Sequence, residues 1–157
     1  MKILIVTNYF EPDQGAASVI MTRLAKKLHQ RGHEVTVLTS MPNYPHGRIL
    51  DGYRGKFVVD EKRDGLRVIQ TWLWATPSPK ISRKFISQIT FMVTAILRGI
   101  FLAKPDVMLI EAAPIFTNLA GVFLSRVKRV PYVLDVHDLW PDHMLSVGAM
   151  TASHPFY

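Results

Sequence analysis

The sequence predicts an α/β fold with a doubly wound, mostly parallel sheet. Three observations predict it. Short apolar runs rich in β-branched residues recur along the chain, as is typical of strands that are buried on both faces. Amphipathic segments of helical length separate most of these runs. The resulting alternation of strand and helix is the pattern of a doubly wound α/β domain.

The composition fits one globular domain. The chain has 157 residues, 48% hydrophobic and 20% charged, which is enough for one domain with a real core and too short for two ordinary ones. It has no cysteine, which excludes disulfides and thiolate metal sites and favours a reducing cytoplasm. The apolar run in "MKILIVTNYF" is too short for a signal peptide, so we expect a cytoplasmic protein.

The N-terminal part predicts a βαβ unit. "KILIVT" forms the first strand and "HEVTVLTS" the second. Between them, Ser18 caps a helix that runs to about Arg31, and Gly32 stands where a C-terminal glycine belongs. The connection between two such parallel strands is almost always right-handed.

The middle of the chain predicts a long loop, a hairpin and a helix. The loop "MPNYPHGRILDGYRG" is rich in proline and glycine and long for a compact domain, which favours a functional role. Two short strands follow, around a charged turn from Asp60 to Gly65. A helix then runs from Ser82 to about Ala103, and its apolar face comprises Phe85, Ile89, Met92, Val93, Ile96 and Ile100, widened by Phe91, Leu97 and Phe101.

This helix has two interpretations. Its apolar core is too short to span a bilayer and contains Arg98, so we expect the helix to pack against the sheet. The basic residues Arg83 and Lys84 at one end, together with surplus apolar surface, also suit a face that contacts anionic lipid. The residues alone leave both interpretations open.

The C-terminal part continues the alternation. "KPDVMLIEA" forms a strand, and "APIFTNLAGVFLSRVKR" forms a helix whose three terminal basic residues complement the helix dipole. "VPYVLDV" forms the last strand, and the residues after Gly148 are weakly patterned.

The charge distribution indicates an anionic partner. The formal net charge is +7, and no acidic residue lies between Asp64 and Asp106. Nucleic acid is not expected as that partner, because no nucleic-acid motif and no interleaving of aromatic and basic residues is present. A solvated basic face without a partner is the alternative.

Three loops leave the carboxyl ends of predicted parallel strands, where ligands bind in open sheets: "EPDQGAAS", "MPNYPHG" and "HDLWPDH". In the first, the small residues Gly15 and Ala16 at a helix start suit a phosphate, although a tight turn would need Gly15 equally. Neither the dinucleotide fingerprint nor the P-loop motif is present, which argues against dinucleotide oxidoreductases and P-loop nucleotidases.

The polar cluster "VLDVHDLWPDH" is open to a metal interpretation. Asp135 and His137 lie on one side of a strand, but Asp135 belongs to an apolar run and His143 follows at no recognised ligand spacing. We therefore expect no metal and no other cofactor. The absence of a G-x-S-x-G motif argues against a serine hydrolase.

Four segments stand in this order along the chain: "RGHEVTVLT", the "PNYP" loop with its glycine, "KPDVMLIEAAPIF" and "VPYVLDVHDLWPD". Together they resemble the N-terminal half of a family 4 glycosyltransferase of the bacterial subgroup that builds surface polysaccharides, and the resemblance covers nearly the whole chain. It implies a GT-B fold, in which two Rossmann-like domains face a cleft, and retaining transfer from a nucleotide-sugar. Residues 1–148 correspond to the N-terminal, acceptor-side domain, and residues 149–157 lead towards a C-terminal domain that binds the donor.

The resemblance also assigns roles to residues. It implies that Gly15, with Ala16 in place of a second glycine, contacts the donor's phosphates, and that His137 is the catalytic candidate beside the donor sugar. The residues implied on the acceptor side are Asn43, Tyr44, Asp138 and Trp140.

One part of the family pattern is missing from the sequence. The family holds its donor mainly through a basic residue and a Glu-x7-Glu motif in the C-terminal domain, and neither is found here. We therefore expect a half-enzyme that is inactive alone, with a nucleotide-sugar donor, a polysaccharide or lipid-linked acceptor, a C-terminal domain and an anionic inner-membrane surface as partners. The alternatives are a catalytically silent membrane- or partner-binding half of a split transferase, and part of a sugar-nucleotide 2-epimerase.

Overall fold

The structure, a computed structural model, describes residues 1–136. These residues form a single sheet flanked by helices. The strands are β1 (Lys2–Val6), β2 (Glu34–Ser40), β3 (Val58–Arg63), β4 (Leu66–Thr71), β5 (Val107–Glu111) and β6 (Tyr132–Asp135), and the helices are α1 (Ala16–Gln30), α2 (Ile81–Ile100) and α3 (Ile115–Lys128).

The six-stranded sheet has the order β3-β4-β2-β1-β5-β6. Every neighbouring pair is parallel except β3 and β4, which form an antiparallel edge pair. From β1 the chain builds outward to β2 and β4 on one side and to β5 and β6 on the other. The strand order therefore reverses at β1, which is the point where open α/β sheets bind their ligands. The predicted doubly wound, mostly parallel, Rossmann-like fold is confirmed.

Helices cover both faces of the sheet, because successive side chains of a strand point to opposite faces. Ile5 of β1 lies in one apolar cluster with Met21 of α1. The next residue, Val6, lies in a second cluster with Phe91 of α2 and Leu124 of α3. Thus α1 packs on one face, and α2 and α3 pack side by side on the other.

The hairpin turn is shorter than the sequence predicts. Only Asp64 and Gly65 form it, with φ angles of 50° and 80°, as expected for a two-residue Asp-Gly turn between twisted strands. The predicted turn from Asp60 to Gly65 is wrong because residues Asp60 to Arg63 belong to β3. An edge strand accepts such charged residues, which discourage pairing with other chains.

The predicted start of α1 at Ser18 is also wrong. The N-cap is Gly15, which supplies no side-chain cap. Ser18 lies buried in the first turn, and its hydroxyl donates to the Asp13 carbonyl at 2.8 Å, so it stabilises the preceding loop instead of a helix N–H. At the other end Gly32 has the predicted left-handed conformation, with φ 83°.

Helix α2 buries a different face from the one predicted. Its buried residues are Ser87, Phe91, Thr94, Ala95 and Gly99. Three of the six residues of the predicted apolar face, Ile89, Val93 and Ile100, are exposed. Small residues let the helix approach its neighbours closely. A Cβ on Gly99 would lie 2.5 Å from Cδ1 of Leu124, and the Thr94 hydroxyl donates to the Trp72 carbonyl at 2.6 Å.

Helix α2 ends at Ile100, before the predicted Ala103, and a lysine of α3 caps this end. The Lys128 ammonium donates to the carbonyls of Ile100, at 3.1 Å, and Leu102, at 2.6 Å. These bonds satisfy carbonyl groups that a helix end leaves without intrahelical partners. The basic end of α3 therefore caps the neighbouring helix, and burial lowers the pKa of Lys128.

Candidate functional site

The carboxyl ends of the parallel strands β1, β2, β4 and β5 meet at one edge of the sheet. Two of the three predicted ligand loops lie there, residues 7–15 after β1 and residues 41–57 after β2. The third, which begins at His137, lies outside the described residues. The site can therefore be built from the first two loops and from the end of β5.

A buried carboxylate joins the two loops. Oδ1 of Asp13 accepts hydrogen bonds from the backbone N–H groups of Asn43 and Tyr44, both at 2.7 Å. The N–H of Gln14 donates to the Tyr44 carbonyl at 3.4 Å. The predicted donor-side and acceptor-side loops are thus held together by one side chain.

Asp13 is a buried acid at this edge, and its environment favours the neutral form. The residue is 6% exposed, and among the described residues its Oδ2 has no hydrogen-bond partner. Burial raises the pKa of Asp13 to about 6, although the bonds from Tyr44 and Asn43 favour the charged form. A carboxyl group that titrates near neutral pH beside a cavity is typical of functional sites.

The N-terminus of α1 opens into a cavity of about 190 Å³. Gly15 and Ala16, the predicted phosphate contacts, lie there, and the first turn has neither a side-chain cap nor an acidic residue. Its backbone N–H groups and the positive end of the helix dipole therefore suit an anion. The cavity is lined by Tyr9, Gln14, Gly15, Ala16, Ala17, Ser18 and Tyr44.

Two tyrosines form the aromatic wall of this cavity. The rings of Tyr9 and Tyr44 meet edge to face, with centroids 5.4 Å apart. A Cβ on Gly15 would lie 3.0 Å from Cε1 of Tyr44, so the glycine allows the ring to sit close to the helix start. Burial raises the pKa of Tyr9 to about 12, which keeps its phenol neutral. The structure therefore brings predicted residues of both kinds, Gly15 and Tyr44, to one cavity.

Asn43 helps to shape its own loop. Its amide nitrogen donates to the Met41 carbonyl at 2.9 Å and to the Ser40 hydroxyl at 3.4 Å. Its backbone N–H is used by Asp13. These contacts make Asn43 a positioning residue for the acceptor-side loop.

The sequence reasoning missed Glu111. This residue ends β5 and is 3% exposed, and its Oε2 accepts from the Thr7 hydroxyl at 2.6 Å and from the Asn8 N–H at 3.1 Å. The Asn8 carbonyl in turn accepts from the Ser40 hydroxyl at 2.8 Å. Glu111 thereby fixes the ends of three strands next to the cavity. The available signal was a single carboxylate at the end of the apolar run "VMLIE".

Asp13 was missed as well, although its loop was identified. It carries no motif of its own, and its importance comes from contacts with residues 30 or more positions away in the chain. No local pattern reports such contacts.

Three predicted site residues cannot be placed relative to the cavity. His137, Asp138 and Trp140 lie outside the described residues. Asp135 lies at the end of β6 in register with Glu111, as a strand residue. Within residues 1–136, no three His, Asp or Glu side chains are grouped closely enough to hold a metal ion.

The predicted membrane-facing residues Arg83 and Lys84 are exposed in the first turns of α2. The Lys84 ammonium donates to the Thr76 carbonyl at 3.2 Å. In the part of the chain that is described, no helix has the length and hydropathy to cross a membrane.

Another cavity, of about 50 Å³, lies at the opposite edge of the sheet, where Lys2, Glu34 and Pro105 are among its lining residues. It is remote from Asp13 and from the helix N-terminus. Parallel sheets place their ligands beyond the carboxyl ends of the strands, so this cavity is not the candidate site.

Comparisons with known proteins give a family and a fold. The family described as "Glycosyl transferase 4-like domain" matches residues 15–157. No curated protein sequence matches. Among solved structures, the C-terminal domain of a hydrogenase from Pyrococcus furiosus is similar with a TM-score of 0.54 and 15% identity, over 85% of this chain and 89% of that one.

A second similar structure is the catalytic domain of starch synthase IV from Arabidopsis thaliana, bound to ADP and acarbose. The TM-score is 0.52 at 16% identity, over 87% of this chain. This chain spans 34% of the starch synthase domain, about a third of its length. At these identities the two structures show a shared fold.

Proposed function

Because this chain belongs to the glycosyl transferase 4-like domain family, we propose that it is the acceptor-side half of a retaining glycosyltransferase from the bacterial surface-polysaccharide subgroup. In this proposal the enzyme is cytoplasmic and moves a sugar from a nucleotide-sugar to a polysaccharide or lipid-linked acceptor. Neither a metal nor another cofactor takes part.

The observation that carries the proposal is the bond between the two loops. Asp13 holds the acceptor-side residues Asn43 and Tyr44 against the loop that leads into Gly15. A transferase must bring a donor and an acceptor within reach of each other, and holding the reacting groups in a fixed geometry lowers the reaction barrier. A rigid link between the two loops supports that role.

The proposed roles follow the position of each residue. Gly15 and Ala16 receive the donor's phosphates at the start of α1, where helix N–H groups favour an anion. Asn43 and Tyr44 form the acceptor side. From the segment outside the described residues, we propose His137 as the catalytic residue beside the donor sugar, with Asp138 and Trp140 on the acceptor side.

We propose that a second α/β domain completes the donor site and that this chain alone has negligible activity. Incubation of the purified 157-residue chain with radiolabelled nucleotide-sugars and a prenyl diphosphate-linked acceptor tests this. We expect no labelled product above background. Robust transfer by this chain would overturn the division into two halves.

The epimerase alternative is tested by product analysis with the same donors. Chromatography of the sugar released from each nucleotide-sugar distinguishes a change of configuration at C2 from transfer. An epimerised sugar with no acceptor product would replace the transferase proposal.

A second candidate function, membrane binding, is favoured by the surface of α2 and α3. Neither helix contains an acidic residue, and both expose apolar rows, which include Val93, Leu97, Leu119 and Phe123. Exposed apolar area beside basic residues is typical of proteins that bind the surface of an anionic membrane. We propose that this face, with Arg83 and Lys84, associates peripherally with the inner membrane.

A further inference from the structure

We propose that a basic cavity beside the acceptor-side loop binds the phosphate or diphosphate group of a phosphorylated acceptor. The cavity has a volume of about 510 Å³ and lies between the loop after β2 and the segment after β4. We call it the arginine pocket, and it is lined by His46, Arg48, Ile49, Leu50, Asp51, Arg54 and Pro77. The proposal concerns a site separate from the cavity at Gly15.

The wall of the arginine pocket is closely packed. Gly47 has φ 63°, and a Cβ at this position would lie 2.2 Å from the Thr76 carbonyl oxygen. Within the loop, the Gly47 N–H donates to the Asn43 carbonyl at 2.7 Å, and the Leu50 N–H donates to the Pro42 carbonyl at 2.9 Å. The loop therefore meets the segment after β4 in a defined geometry, so the pocket exists before a ligand arrives.

The charges in the pocket favour an anion. The Arg54 guanidinium is oriented by bonds from Nε to the Ile49 carbonyl, at 3.1 Å, and from Nη1 to Oδ1 of Asp51, at 3.0 Å. Arg48 is exposed and forms no ion pair within residues 1–136. Two arginines and one carboxylate thus line the pocket.

The Arg54–Asp51 pair does not block the pocket. The two side chains are 64% and 88% exposed, and ion pairs at such exposure contribute little to stability. A phosphate can therefore replace Asp51 as the partner of Arg54. Guanidinium groups suit phosphate oxygens because they donate paired, charge-assisted hydrogen bonds.

The position of the pocket identifies the ligand as an acceptor group. Asn43 connects the arginine pocket to the cavity at Gly15. Its carbonyl accepts a hydrogen bond from the Gly47 N–H, and its own N–H donates to Asp13. Lys84 of α2 donates to the same Thr76 carbonyl that contacts Gly47. The arginine pocket thus lies between the cavity at Gly15 and the start of α2, where Ile81 and Ile86 are exposed.

This arrangement fits a phosphate ester whose lipid chain runs along α2 and whose sugar points towards Tyr44. The assignment of that ester as the acceptor rests on the proposed function. Binding of the phosphate itself does not, so the two can be tested separately.

The test is calorimetric titration of the 157-residue chain with two probes, farnesyl diphosphate and inorganic pyrophosphate. The main variant is Arg48→Gln, because no described contact of the fold depends on this side chain. The matched control is Arg23→Gln, which removes the same charge from an exposed position of α1. We expect Arg48→Gln to weaken binding of farnesyl diphosphate about tenfold or more, and Arg23→Gln to change it less than about twofold.

The two probes distinguish the sources of the phosphate. If farnesyl diphosphate binds more tightly than pyrophosphate, the result supports a lipid-linked ligand. If both bind equally and with the same dependence on Arg48, the result supports a pocket that contacts the phosphates but not the lipid. The proposal is overturned if neither probe binds, or if Arg48→Gln has no larger effect than Arg23→Gln. Arg48-dependent binding, together with an epimerised sugar and no acceptor product in the product analysis, would refute the proposed function but would still support the phosphate pocket.

Discussion

The backbone N–H of Tyr44 donates to the buried carboxylate of Asp13 at 2.7 Å. Tyr44 belongs to the loop after β2 and Asp13 to the loop after β1, so this bond fixes the acceptor-side loop relative to the start of α1. The same Tyr44 ring packs against Gly15. The donor and acceptor sides of the proposed site are therefore parts of one rigid unit, and its stability should depend on the charge of Asp13.

Asp13→Asn is expected to remove a pH dependence of stability. The pKa of Asp13 is raised from 3.8 to about 6 in the folded state, so between these values the folded chain binds more protons than the unfolded chain. The contribution of Asp13 to stability therefore falls as pH rises from about 4 to about 6, by on the order of 3 kcal/mol, and stays constant above that range. The asparagine keeps an oxygen for the two N–H groups without the charge.

The measurement is the free energy of unfolding in urea at several pH values, compared between the two proteins. Their difference should change over pH 4 to 6 in favour of the variant at higher pH. Parallel curves for the two proteins would show that Asp13 does not titrate as described.

Asp60→Asn is expected to have the opposite pH dependence. Hydrogen bonds from Arg67, together with Arg98, lower the pKa of Asp60, so its contribution is present above the unfolded pKa and is lost as pH falls through the folded one. The variant should be less stable than the unaltered chain near pH 7, and the two should converge in strong acid. High salt should also reduce the difference, because these side chains are partly exposed. A difference that persists at low pH would contradict the ion-pair explanation.

Gly121→Ala is expected to destabilise the contact between α3 and β5. A Cβ on Gly121 would lie 2.6 Å from Cγ2 of Ile110, a fully buried residue. Overpacking of this kind costs about 1–3 kcal/mol, and the better helix propensity of alanine offsets about 1 kcal/mol at most.

Chemical denaturation of two further variants makes the test specific. The exposed Leu119 on the same helix is the control, and Leu119→Ala should change stability by about 0.5 kcal/mol or less. In a double variant, Ile110→Ala should relieve the clash, so that Gly121→Ala costs less than in the otherwise unaltered chain. If the two substitutions lower the free energy of unfolding additively, the methyl group introduced at position 121 does not contact Ile110.

Arg83→Glu/Lys84→Glu is expected to weaken binding to anionic vesicles. Each basic residue near such a surface contributes about 1 kcal/mol, so reversal of two charges should reduce vesicle binding by more than about tenfold. Sedimentation with vesicles of phosphatidylglycerol and phosphatidylethanolamine measures it, at low and high salt. Arg23→Glu/Lys27→Glu on α1 makes the same charge change on the other face of the sheet. If the two double variants lose vesicle binding equally, the binding depends on net charge alone, and the proposed membrane-binding face on α2 is wrong.

Much of the fold could be predicted because the strands are short apolar runs and the helices lie between them. The Asp-Gly turn and Gly32 also follow from local backbone preferences. The orientation of α2 could not be predicted. This helix is apolar on most of its surface. Close packing at Gly99 and Thr94 determines which face is buried, and the spacing of apolar residues in the sequence does not predict that packing.

The candidate site was predicted only in part. The loop after the first strand indicates Gly15, the family resemblance implies Tyr44, and the structure places both at one cavity. Asp13 and Glu111 act through contacts between segments that are distant in the sequence. Such contacts become visible only when the strand order is known.

The central claim is that the loops after β1 and β2 form one side of a sugar-transfer site. Backbone NMR of the 157-residue chain, titrated with uridine, guanosine and adenosine diphosphate sugars, tests it most directly. We predict that one of these donors shifts the resonances of Gly15, Ala16 and Tyr44, and that Asp13→Ala abolishes the shifts while the fold persists. Shifts confined to Lys2 and Glu34 at the opposite edge, or none with any donor, would contradict the claim.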